Sequence, residues 1–154
     1  MTKHLLYILF LCLPILGISQ SKEANNSYSS NELATAKKFI HDLADDELPL
    51  DIVLSKHVLV NEPTDELYDY LLESLLEIRI NLLSRKLELI QYKNYAQLPR
   101  KELKDIDPED LNTKQMYFLY YKDRLISSLY LAEGKIASFT LVSKGDNLAH
   151  FVIY

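Results

Sequence analysis

Residues 116–154 read MYFLYYKDRLISSLYLAEGKIASFTLVSKGDNLAHFVIY. Four β-rich runs stand out in this stretch: Met116–Tyr121, Leu125–Leu131, Ile136–Val142 and Leu148–Tyr154. They are separated by Lys122-Asp123-Arg124, Glu133-Gly134-Lys135 and Lys144-Gly145-Asp146-Asn147. Gly134 and Gly145 both fall in these breaks, where a tight turn demands positive φ. Strands joined by connections this short pair antiparallel with their neighbours, so the spacing predicts a four- to five-stranded antiparallel meander.

Upstream the period changes from two to 3.6. Asn61-Glu62-Pro63-Thr64 has the composition of a helix start, and from Thr64 to about Ser84 runs the strongest periodic signal in the chain. Tyr68, Leu71, Leu72, Leu75, Ile78, Leu82 and Leu83 make one stripe, which Leu67, Leu76 and Ile80 widen. A stripe this wide predicts burial on more than one side and a place at the centre of the core, with Leu75 in its middle. Ser29 and Glu32 form a capping box, and the helix they open sets Leu33, Ala36, Phe39, Ile40 and Leu43 on one face. Asp45-Asp46-Glu47 opposes that helix's dipole and Pro49 blocks its continuation. Leu50–His57 fits one or two helical turns, Val58-Leu59-Val60 is β-branched, and Leu87–Tyr92 is short and β-compatible. The polar stretch from Lys93 to Lys114 is long for a compact domain, and turns at Pro99 and Pro108 would break it up.

The other end of the chain reads as an export leader. Lys3 gives a positive start, Leu5–Leu16 is apolar but for Pro14, and Gly17-Ile18-Ser19 is a small-x-small exit. The run is shorter than the roughly 20 residues that span a bilayer. Cys12 lies mid-run after Leu11, which argues against a lipid anchor. The expected organisation is therefore a signal peptide at 1–19, a polar flexible tether at 20–29 and a single α+β domain at 30–154, with no stable membrane anchor once the leader is cleaved. Cleavage after Ser19 removes Lys3 and the single cysteine, leaving 16 basic and 22 acidic residues, a net charge of −6. The remaining 135 residues suffice for one self-supporting core without disulfides. An acidic chain gains nothing from phosphate backbones, so nucleic acid is excluded as a partner.

Helices first and strands second is an α+β order, with a helical layer over an antiparallel sheet. In element order and size, residues 30–154 resemble NTF2-like and cystatin-like domains, in which helices lie in the cradle of a curved antiparallel sheet. The chain departs from the NTF2-like pattern in showing no strand before Leu87. It is also similar to small exported proteins of Gram-negative bacteria, which implies a periplasmic or secreted location and no particular activity.

Chemistry-bearing motifs are sparse. There is no G-x-S-x-G elbow, and the cysteine falls in the leader. His150 lies in phase with Leu148, Val152 and Tyr154, and Ser127, Ser128 and Ser138 lie on neighbouring runs, so a Ser–His contact is geometrically open but lacks an orienting acid. His41 and Asp45 share a helix face at i, i+4, two ligands where a metal needs three or four. Asp105-Ile106-Asp107-Pro108-Glu109-Asp110 has the acids of a calcium loop without its glycine turn or terminal glutamate. Paired carboxylates cannot be placed across a cleft from sequence, and the two glycines beyond the leader, Gly134 and Gly145, are spent on hairpins, leaving none there for a phosphate cradle. No catalytic residue, metal site or cofactor follows.

The compositional oddity is 11 tyrosines with no tryptophan. Tyr117, Tyr120, Tyr121 and Tyr130 sit on adjacent runs, with Tyr92, Tyr95 and Tyr154 besides. A large apolar body with one polar tip suits a ligand or partner surface, and Tyr117 and Tyr121, which alternate onto one face, are the candidate ligand-binding pair. Tyrosine's strand propensity explains the same pattern without a ligand. The reading is a non-enzymatic exported module that binds a small molecule or a protein. The alternatives are a small hydrolase or isomerase with its site in a helix–sheet cavity, and a structural envelope protein. Intact-mass analysis of protein from the native envelope should give a chain beginning at Gln20; a mass that still includes Lys3 and Cys12 refutes the leader.

Overall fold

Thr64 has extended backbone, and its hydroxyl accepts a hydrogen bond from the Leu67 amide at 3.1 Å, satisfying a donor that a helix start leaves open. The helix it caps, α3 (Asp65–Leu83), is the third of four α-helices among the described residues. The computed structural model describes residues 20–145 and 147–154, so the leader and its cleavage site lie outside the described residues. Ahead of α3 come α1 (Gln20–Ala44) and α2 (Leu50–His57). After it come β1 (Gln91–Asn94), α4 (Arg100–Leu103), β2 (Met116–Tyr121), β3 (Arg124–Ala132), β4 (Lys135–Ser138), β5 (Leu141–Gly145) and β6 (Leu148–Phe151). The architecture is α+β, with helices on the N-terminal side and antiparallel strands on the C-terminal side.

Helix α1 begins ten residues earlier than its capping box suggests. Residues 20–29, expected as an irregular tether, are helical, and Ser29 and Glu32 lie within the helix. Extension of a nucleated helix adds one hydrogen bond per residue fixed, so a polar stretch with few breakers is readily recruited. The long polar stretch is resolved into short pieces: a turn at Tyr95–Gln97 with a reciprocal Asn94–Gln97 capping box, α4 after Pro99, a Pro108–Leu111 turn and a turn at Thr113–Gln115.

The main sheet has the order β1-β2-β3-β4, all antiparallel, and β5 pairs with β6 in a separate two-stranded sheet. The expected third run thus divides between Ser138 and Leu141, and the expected fourth leaves the main sheet. Local bonds replace the ladder at this corner. Ser138 Oγ accepts from the Thr140 amide at 3.1 Å and donates to the Thr140 carbonyl at 3.1 Å. The Tyr154 hydroxyl accepts from the Phe139 amide at 3.0 Å and lies 2.5 Å from Thr140 Oγ1. The free side of β4 is taken by Val58, which bridges Ile136 in parallel, with the Leu59 amide donating to the Ile136 carbonyl at 2.8 Å. Two-residue turns with left-handed backbone, Lys122-Asp123 and Glu133-Gly134, join the main hairpins.

Both faces of the main sheet are covered. On one side Tyr117, Leu119, Leu129, Leu131 and Ile136 pack with Phe39, Ile40 and Leu43 of α1, Val53 and Leu54 of α2, and Leu71, Leu75 and Leu82 of α3. On the other, Met116, Phe118, Tyr120, Tyr130 and Ala137 pack with Leu98 and Phe151. Leu75 is fully buried, as its place in the stripe implies. The expectation that α3 is buried on more than one side fails. Leu71, Leu75 and Leu82 face the core, whereas Leu76, Ile80 and Leu83 are 46%, 61% and 53% exposed. Helices α1 and α2 pack against α3, and its buried leucines belong to the same core as theirs.

Arg79 sits in the core-facing phase of α3 and is 8% exposed. Its Nε donates to the Leu43 carbonyl at 2.8 Å and a terminal guanidinium nitrogen donates to the Leu48 carbonyl at 2.6 Å. A helix ends with carbonyls that have no partner of their own, and the acidic segment Asp45-Asp46-Glu47 supplies no donor side chain to meet them. The guanidinium does so from the neighbouring helix, and its positive charge sits where the dipole of α1 is negative. Arg79→Met, which keeps much of the apolar bulk, should cost roughly 2–4 kcal/mol by stranding two acceptors. A denaturation midpoint equal to wild type would show that water satisfies those carbonyls.

Candidate functional site

Segment 58–64 turns the chain from β4's edge into α3, and the cleft it lines is the candidate site among the described residues. The cleft has a volume of about 260 Å³. It is lined by Leu54, Ser55 and Val58 at the end of α2, by Leu59, Val60, Pro63 and Thr64 of the connecting segment, by Tyr68 and Leu71 of α3, and by Lys135 at the start of β4. The lining is mainly apolar, and its serine and threonine hydroxyls are committed locally. Ser55 Oγ donates to the Ile52 carbonyl at 3.1 Å, and Thr64 Oγ1 caps α3. Lys135 differs. It is half-buried, its ammonium lies 3.5 Å from the Ser55 carbonyl, and it forms no ion pair with a described residue. Among the described residues, an acidic protein thus gives this cation at the edge of an apolar hollow no carboxylate partner. Sequence reasoning placed Lys135 only in a turn and Thr64 only in a helix-start segment, since nothing local signals that β4 and α3 converge.

The candidate tyrosine pair lies elsewhere. Tyr117 is 3% exposed and belongs to the helix-facing core, and Tyr121 is half-buried against the same core. The Arg85 guanidinium and the Lys122 ammonium lie 5.8 and 5.5 Å from the Tyr121 ring centre. The pair does share one side of β2, as alternation implies, but that side is under the helices. Tyr120 faces the opposite core, where its hydroxyl donates to Glu102 and the Lys93 ammonium stands 4.3 Å from its ring centre. Burial and the neighbouring Glu102 carboxylate raise the Tyr120 hydroxyl well above its ordinary value. Burial alone pushes Tyr92 up to about 12. These are tyrosines held in their neutral, packed form.

His150 does acquire an acid. On β6 it pairs across from Val142, and its Nδ1 lies 3.2 Å from Glu109 Oε1, close but not aligned as a hydrogen bond. Lys144 on β5 bridges Asp107 at 2.5 Å and Glu109 at 3.0 Å. Hydrogen bonding to Lys144 comes first in holding both carboxyls below their ordinary values and the ammonium above its own. The backbone beneath is fixed by Ile106, which bridges Ala149 in parallel. The acidic segment thus folds into an ion-pair network with Lys144 and His150. Ser127 and Ser128 lie on β3 and Ser138 on β4, in the other sheet, Ser138 is engaged with Thr140, and none of the three is hydrogen-bonded to His150. None of the network's residues lines the cleft. Among the described residues, no group of three His, Cys, Asp or Glu is placed to hold a metal ion, and no helix is long and apolar enough to cross a membrane.

His41 and Asp45 are likewise not joined. His41 is 79% exposed at its side chain, and Asp45 Oδ1 accepts from the Glu47 amide at 3.1 Å. The residue between them does the binding. Asp42 Oδ2 accepts from Lys56 Nζ at 2.6 Å and lies 2.8 Å from His57 Nε2, tying α1 to α2. The His57 ring is buried and stands edge-on to Phe39 at 5.9 Å. The hydrogen bond from Lys56 holds the Asp42 carboxyl down at about 2, against the opposing effect of burial and with help from His57. A carboxyl depressed by folding stabilises above its ordinary value of 3.8 and loses that contribution as pH falls through about 2. Asp42→Asn should therefore cost about 1–3 kcal/mol at neutral pH. It should also flatten the acid limb of the stability curve between about pH 4 and pH 2. An unchanged acid limb would show that other carboxyls govern acid unfolding.

Compared with protein-family models, with curated proteins and with solved structures, the chain matches none.

Proposed function

We propose that the chain is an exported, non-enzymatic binding module whose cleft between α2, α3 and the β3–β4 hairpin takes a small, mostly apolar molecule with an anionic end. The observation that carries this reading is the coincidence of the apolar hollow with Lys135, a cation at its rim that forms no ion pair with a described residue. A cleft of about 260 Å³ sits just below the range of about 300–1,000 Å³ common for drug-sized ligands, which limits the occupant to a short-chain carboxylate or a molecule of that size. Leu54, Val58, Leu59, Val60 and Leu71 offer contact to an aliphatic body, and the Lys135 ammonium offers a charge-assisted hydrogen bond to a carboxylate. Export rests on the leader pattern of residues 1–19 and places the module in the periplasm or outside the cell. The enzyme alternative is favoured by a cavity that holds His150 beside a carboxylate, whereas His150 and Glu109 form part of an ion-pair network whose residues do not line this cleft.

Calorimetric titration with hexanoate and with hexanol separates the two parts of the reading. Hexanoate should bind, and Lys135→Met should weaken it about tenfold, equivalent to about 1.4 kcal/mol, while leaving the weaker binding of hexanol unchanged. No heat with either probe refutes the cleft as a binding site. Equal loss of both, or of neither, refutes the role of Lys135.

A further inference from the structure

Helix α3 carries a second apolar line, distinct from the one it buries. Asp65, Asp69, Leu72, Leu76, Ile80 and Leu83 recur at spacings of four, three, four, four and three, the period of a face that another helix can follow. Leu76, Ile80 and Leu83 are 46%, 61% and 53% exposed, and Leu72 is half-buried beside them. Lys86 lies three residues beyond Leu83, just past the helix end. The line is thus acidic at its start, apolar in its middle and basic at its finish. Asp65, Asp69 and Lys86 are exposed, and none forms an ion pair with a described residue. An exposed apolar patch with a charged rim of this kind marks an interaction surface.

We infer that this face pairs α3 with α3 of a second copy of the chain, in antiparallel orientation. The charge pattern selects both the partner and the direction. A parallel copy sets Asp65 and Asp69 against their own counterparts, and like charges so placed repel. An antiparallel copy crossing near Ile78 sets Leu72 opposite Leu83, Leu76 opposite Ile80, and Asp69 opposite Lys86. Every contact then occurs twice about a two-fold axis, as an isologous interface requires. The opposed helix dipoles add to the attraction. One helix of nineteen residues is about 28 Å long, so the contact falls at the small end of specific interfaces and the dimer is a weak one.

Sedimentation equilibrium of the full chain with Cys12→Ser should show a monomer–dimer equilibrium across the micromolar range. Ile80→Asp should raise the dissociation constant at least about tenfold, a change of about 1.4 kcal/mol, with an unchanged thermal midpoint at low concentration. Lys86→Glu should weaken pairing, and adding Asp69→Lys should restore it. Under mild oxidation, a mixture of Leu72→Cys and Leu83→Cys chains should cross-link, while neither variant should cross-link with itself. A chain monomeric throughout, a dimer indifferent to Ile80→Asp, or self-cross-linking of either cysteine variant each overturns the inference. The first covers the case in which other residues of the same chain occupy the face.

Discussion

The buried guanidinium of Arg79 is the contact on which the helical layer depends. It crosses from α3 to the end of α1 and holds two carbonyls, those of Leu43 and Leu48, that bracket the acidic turn. Without a donor there, α1 would end in unsatisfied acceptors beside three carboxylates, and the Leu48–Pro49 entry into α2 would have nothing to fix its direction. With it, the three helices share one frame. Asp42 adds the opposite linkage, from α1 to Lys56 and His57 at the end of α2. The direction of α2 in turn sends Val58 onto the edge of β4, so the sheet is extended by a residue delivered from the helical layer.

Much of this was legible in the residues. A helix does start at Asn61–Thr64, Leu75 is buried, α2 occupies Leu50–His57, and the two turns of the main sheet's hairpins fall at their polar breaks. These features are local, and local chemistry decides them. What sequence did not show is where distant elements meet. Ile136–Val142 looks like one strand because its composition is uniformly β-compatible, yet a side-chain bond from Ser138 and the hydroxyl of Tyr154 break it at Phe139–Thr140. Leu76, Ile80 and Leu83 are as apolar as Leu75, and no periodicity distinguishes a second interface from a wider core. Arg79 was detectable in principle: an arginine in phase with Leu71, Leu75 and Leu82 is a charge aimed into apolar surroundings, which demands partners.

The candidate site shows the same division. Tyr117 and Tyr121 do share a face, as strand alternation dictates, but which face the helices cover was a tertiary question. Main-sheet strands buried on both sides make tyrosine useful as filler, because its body packs while its hydroxyl reaches an edge acceptor such as Glu102 or Gln115. The abundance of tyrosine without tryptophan then needs no ligand. Lys135 carried no signal, since its distinction lies in the carboxylates it does not meet.

Asn61 donates to the main-chain oxygen of Tyr154 from both its amide, at 3.1 Å, and its side chain, at 3.0 Å, across 93 residues of sequence. Closing a loop of that length costs roughly 4 kcal/mol of chain entropy, which the local helices and hairpins do not have to meet. Asn61 belongs to the same short segment as Leu59, Val60 and Pro63, which line the cleft. The rest of the lining comes from α2 and α3 nearby in sequence and from Lys135 on β4, so the hollow is complete only where the helical layer meets the sheet. A molecule that occupies it binds the complete fold alone, and by mass action it protects α1 and the far hairpin as much as the walls it touches.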